Sequence, residues 1–79
     1  MTDFEQRVCD VVAAALGESN GSLGMDSSQD TVDSWDSAGI INVMMALESE
    51  FKVAFQTEEA ADLLSMRIIA EILREKGAK

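Results

Sequence analysis

Apolar residues recur at helical spacing in successive stretches of this chain, and nowhere do they alternate with polar ones as in a half-buried strand. In the first stretch Phe4, Val8, Val11, Val12 and Ala15 share one face, and Thr2 followed three residues later by Glu5 has the form of a capping box. This predicts a helix over about 3–16, stopped by Gly17. A second helix is predicted over 37–51, starting at Asp36 or Ser37, both favoured caps. At roughly 100° per residue, Ile40, Val43, Met44, Leu47 and Phe51 form a core stripe. Ser37, Ile41, Met45 and Glu48 form a row beside it.

Thr57, Glu58 and Glu59 read as the start of a short third helix over about 58–64, with Ala61 and Leu64 facing inward. Ser65 is placed to cap a fourth helix over 66–76 that carries Ile68, Ile69, Ile72 and Leu73. Arg74 and Lys76 lie near its C-terminus, and Gly77 ends it. The pattern leaves open whether these two helices are separate or one bent helix. Residues 17–36 show no sustained periodicity and contain Gly21, Gly24 and several Ser and Asp residues, so a long loop is expected there. Leu23, Met25, Val32 and Trp35 give that loop anchors on the core. The expected fold is all-α: a small four-helix bundle in one domain over 1–79, with three longer helices, a short third helix and a long first loop.

Composition narrows the function. With 47% hydrophobic residues but only three Phe and one Trp, the core must be mainly aliphatic. Six basic against fifteen acidic residues give a formal charge of −9, which excludes phosphate-directed nucleic acid binding and points to basic partners. Residues 8–51 hold no Lys or Arg at all. Histidine is absent, which removes Ser–His and Cys–His nucleophile pairs and most zinc ligand sets, so no intrinsic enzyme activity is expected. Asp26, Asp30, Asp33 and Asp36 are too widely spaced for a calcium-binding EF-hand loop, so no metal is expected. The single Cys9 reads as a packing residue at the edge of the first helix stripe. With one cysteine, no apolar run of membrane length and no basic-apolar leader in Thr2-Asp3-Phe4-Glu5, a cytoplasmic monomer off the membrane is expected.

Trp35-Asp36-Ser37-Ala38-Gly39, leading into Val43-Met44-Met45-Ala46-Leu47-Glu48-Ser49-Glu50-Phe51, resembles the acyl carrier protein family. The shared features are an Asp-Ser pair after a long loop, an apolar and acidic helix ending Leu-acidic-x-acidic-Phe, and a short helix before the last. The resemblance covers nearly the whole chain. It implies that Ser37 carries a 4′-phosphopantetheine arm, attached by a phosphopantetheinyl transferase with Asp36 as the flanking acid. It also implies that the arm's thiol holds acyl groups as thioesters for shuttling between biosynthetic enzymes. The docking face is expected to comprise Ala38, Ile41, Met45, Glu48 and Glu50, with apolar contacts for grip and acids steering loading, condensing or tailoring enzymes with basic patches.

The chain departs from the family pattern at three positions. Ala38 stands where Leu is common, Gly39 follows it with weak helix propensity, and Asn42 stands where carriers of fatty acid synthesis are often acidic. Together with Trp35, these departures point to polyketide or related specialised metabolism over housekeeping synthesis. Two other readings stay open. One is a peptidyl or aminoacyl carrier, although Ser34-Trp35-Asp36-Ser37-Ala38 lacks the usual Gly-Gly-His-Ser-Leu type of motif. The other is a non-carrier acidic helical interaction module.

Overall fold

In the computed structural model, which describes residues 2–19 and 21–78, a reciprocal cap opens helix α1 (Asp3–Leu16). Thr2 Oγ1 accepts the Glu5 amide at 3.1 Å, and the Glu5 carboxylate accepts the Thr2 amide at 2.9 Å. At the other end Gly17 takes the left-handed conformation at φ 74°, which lets the Glu18 amide reach back to the Ala13 carbonyl at 2.8 Å. Helix α2 (Ser37–Phe51) starts on Asp36 and ends where Lys52 turns left-handed at φ 58°. A 3-10 helix (Thr57–Asp62) and helix α3 (Met66–Glu75) complete an all-α fold. No strand forms among the described residues, and no helix among them is long and apolar enough to cross a membrane.

The first two helices match the sequence expectation closely, whereas the third does not. It is a 3-10 helix that ends at Asp62, so Leu63 and Leu64 fall outside it. Ala61 is exposed and Leu64 is 41% exposed, while Leu63 is fully buried. The reason is geometric: a 3-10 helix advances about 120° per residue, and the chain leaves it at Leu63, so the inward face differs from that of an α-helix. The last two helices are separate. Ser65 caps α3 by accepting the Ile68 amide at 3.2 Å, and Ser28 and Ser65 form an isolated antiparallel bridge between the two helices and the first loop. Lys76 is the C-cap of α3, one residue beyond its end.

The core is aliphatic apart from Trp35 and Phe51. Val8, Cys9 and Val12 of α1 meet Ile40, Val43, Leu47 and Phe51 of α2, and Leu63, Met66, Ile69 and Leu73 close the other side. Burying each of these larger aliphatic side chains contributes about 1.5–3 kcal/mol relative to leaving it exposed. Met44 is only half-buried beside this stripe, and Ile68 of α3 points outward.

The long first loop is fastened to that core. Leu23 and Trp35 are buried, and Met25 and Val32 pack against the cluster. The Trp35 indole donates to the Leu63 carbonyl at 2.9 Å, the Gln29 amide donates to Leu64 and the Met66 amide donates to Ser27, both also at 2.9 Å. Arg7 lies over the Phe51 ring and Arg74 over the Phe4 ring, with the two rings edge to face at 5.7 Å.

Candidate functional site: the start of helix α2

The chain enters α2 in extended conformation at Asp36, whose Oδ1 accepts the Gly39 amide at 2.8 Å while its carbonyl accepts the Ile40 amide at 2.8 Å. Asp36 is therefore the N-cap, and Ser37 is the first helical residue and exposed. The amides of Ser37 and Ala38 have no partner within the helix, as at any helix start, and the helix dipole is positive there.

Two contacts hold this corner in place. Behind it, Trp35 is buried and tied to Leu63. Beneath it, Gly39 lies flat against the loop: a Cβ at this position would overlap the Ser34 carbonyl oxygen and come within 2.8 Å of Leu16 Cδ2. Ser34 in turn donates its hydroxyl to the Glu18 carboxylate at 2.6 Å. Gly39 therefore permits the loop and the helix start to touch. Helix propensity alone misses this role. The readable signal is a glycine placed in the first turn of a helix, where it lowers helix propensity.

Below Ser37 runs an exposed row. Ile41 and Met45 follow at intervals of four residues and are 47% and 61% exposed, with Ala38, Asn42 and Ser49 beside them, also exposed. The structure thus brings Ser37, Ala38, Ile41 and Met45 onto one face, as expected. It directs the two expected acids to other contacts. Glu48 is half-buried, and its carboxylate accepts the Phe55 amide at 2.9 Å, bracing the link into the 3-10 helix. Glu50 pairs with Arg7 of α1 at 3.3 Å. Neither contact was legible as local helical spacing, because both partners are distant in sequence or lie in an irregular link.

The chemistry available at this corner is that of an acceptor. An exposed primary hydroxyl stands at a helix start, with a neighbouring carboxylate committed to its cap and no imidazole anywhere in the chain. A hydroxyl in this setting accepts a group when another catalyst removes its proton. No family model matches this chain.

Outside this corner several ionisable groups serve the fold. The Glu5 carboxyl is held below its ordinary value chiefly by the Thr2 amide, and Glu59 chiefly by the Gln56 amide and then by Lys76. Burial, reinforced by Asp10 and Glu5, pushes the Cys9 thiol up, which suits an unreactive packing residue. Asp26 pairs with Arg67 at 3.3 Å, and among the described residues no three cysteine or acidic side chains converge as a metal site would require.

Proposed function

We propose that the protein is an acyl carrier of the four-helix-bundle type, with Ser37 as the attachment point of a 4′-phosphopantetheine arm. One observation carries the reading: an exposed serine is the first residue of α2, on a corner braced by Asp36, Gly39 and Trp35 and continuous with the exposed Ile41–Met45 row. The residues fit the group. The Ser37 and Ala38 amides and the positive end of α2 favour a phosphodiester on the Ser37 oxygen, and the exposed position admits a modifying enzyme.

When bound, the arm supplies a thiol that carries acyl groups as thioesters. In the attachment step Ser37 Oγ forms a new bond to phosphorus while the diphosphate of coenzyme A breaks and adenosine 3′,5′-bisphosphate leaves. The hydroxyl proton passes to a base of the phosphopantetheinyl transferase, because this chain offers no histidine for the task. Asp36 fixes the direction of the helix start and keeps Ser37 presented. Ala38 and Asn42, on the uncharged side of α2, favour a specialised pathway such as polyketide assembly over housekeeping fatty acid synthesis.

Incubation with a phosphopantetheinyl transferase and coenzyme A tests the proposal. The expected result is a mass gain of one phosphopantetheine, abolished by Ser37→Ala. No gain, or a gain that survives Ser37→Ala, refutes the assignment.

A further inference from the structure

Helix α3 supplies the core with Met66, Ile69, Ala70 and Leu73, all buried, and still carries aliphatic side chains to spare. Ile68 is 38% exposed and Ile72, four residues on, is half-buried, so an aliphatic strip continues along the outside of the helix. Glu71 and Glu75 stand exposed beside that strip, and with Ile68, Ile72 and Arg74 they line a shallow groove. We infer that this groove is a docking site for a basic amphipathic helix of a protein partner, whose aliphatic ridge sits on Ile68 and Ile72 and whose Lys or Arg side chains meet Glu71 and Glu75. The inference goes beyond the carrier reading and does not rest on it.

Three local features of this strip are unfavourable in the isolated chain. A β-branched Ile is a weaker helix former than Leu, Ala or Lys, and on the outer face little packing offsets the difference. Glu71 and Glu75 are four residues apart, a like-charge spacing that destabilises a helix. Glu75 is also the last residue of α3, where the helix dipole is negative. The nearby cations lie against acids of other segments: Arg67 pairs with Asp26 at 3.3 Å, Arg74 with Glu5 at 3.6 Å and Lys76 with Glu59 at 3.1 Å. Arg67 precedes Glu71 by four residues, the less favourable order for a pair along a helix. Among the described residues no cation pairs with Glu71 or Glu75.

A basic amphipathic helix answers all three features at once. Its aliphatic ridge takes Ile68 and Ile72 out of water, and packing then favours the branched side chains that the free helix does not. Cations along its rim separate the charges of Glu71 and Glu75 and complement the negative end of α3. An amphipathic helix laid in an aliphatic groove is a recurrent mode of recognition. An acidic partner, or a second copy of this chain with its net charge of −9, would instead add like charge to like. Charge complementarity therefore selects the basic helix as the occupant.

The probe is a synthetic peptide of about 18 residues with Leu on one helical face and Lys on the other, long enough to form a helix. A peptide of the same composition in scrambled order keeps the charge and loses the face. The full chain, labelled with nitrogen-15, is titrated with each peptide and followed by nuclear magnetic resonance. Amide shift changes are expected to centre on residues 66–75. Ile68→Gln is expected to weaken binding about fivefold or more with unchanged circular dichroism, because the side chain faces outward. The double variant Glu71→Gln/Glu75→Gln is expected to weaken it about threefold or more, and Met45→Gln to leave it within about twofold. Shift changes centred on the Ile41–Met45 row or on the first loop overturn the inference. So do equal binding of the scrambled peptide, an Ile68→Gln chain that binds as before, or no binding up to about 1 mM peptide. Self-association that Ile68→Gln abolishes also overturns it, by making a second copy the occupant. Arm attachment at Ser37 takes no part in this test, so failure of the docking inference and failure of the carrier reading are told apart.

Discussion

The indole N–H of Trp35 donates to the carbonyl oxygen of Leu63 at 2.9 Å, joining the end of the first loop to the turn before α3 across 28 positions of sequence. Both residues are almost completely buried, and Ser37 lies two positions beyond the tryptophan. The corner that presents Ser37 is thus tied to the turn before α3.

Trp35→Phe removes this hydrogen bond, leaves the Leu63 carbonyl short of a donor and opens a cavity. A loss of about 3 kcal/mol is expected from the combined terms, read as a lower urea midpoint by far-ultraviolet circular dichroism. A change below about 0.5 kcal/mol, typical of a surface substitution, would show that the contact does not brace the loop.

Gly39→Ala separates two opposed expectations. Helix propensity alone predicts a gain of about 1 kcal/mol. The overlap with the Ser34 carbonyl predicts a loss of about 1–3 kcal/mol, because a backbone oxygen cannot rotate away. The packing effect is expected to win, with a net loss in urea denaturation and, on the proposed carrier function, slower modification of Ser37. A stabilised variant would show that the loop yields easily.

Glu48→Ala is expected to speed hydrogen exchange at the Phe55 amide and through the 3-10 helix, since that helix buries no residue of its own and leans on the Glu48 contact. Glu48→Gln retains an acceptor oxygen and is expected to leave exchange close to that of the unsubstituted protein. Equal exchange in all three proteins would remove the bracing role.

Acid stability follows from Glu5 and Glu59. Both carboxyls titrate below their ordinary value of 4.5 when folded, so the folded state binds fewer protons than the unfolded one in that range. Their contribution is present above pH 4.5 and is lost as the pH falls through the lowered folded values. The double variant Glu5→Gln/Glu59→Gln is therefore expected to lose less stability on acidification below pH 4.5 than the unsubstituted protein does. Parallel stability curves for the two proteins across that range would contradict this account.

Local chemistry made much of the molecule legible in advance. The capping box at Thr2 and Glu5, the stop at Gly17, the Asp36 cap and the Ser65 cap act within a few residues of themselves, so helices α1, α2 and α3 follow from spacing and cap chemistry alone. The same spacing groups Ser37, Ile41 and Met45, because residues four apart on a helix are neighbours whatever surrounds them. Tertiary structure decided the rest. Leu63 rather than Leu64 enters the core because the preceding turn is a 3-10 helix leaning on α2, and a short polar segment has no strong period of its own. Gly39 reads as a weak helix former until the Ser34 carbonyl is brought against it. Glu48 and Glu50 look like free surface acids until Phe55 and Arg7 arrive from elsewhere in the chain. Sequence spacing therefore determined which side chains share the face beside Ser37, and long-range contacts decided where the neighbouring acids Glu48 and Glu50 are held.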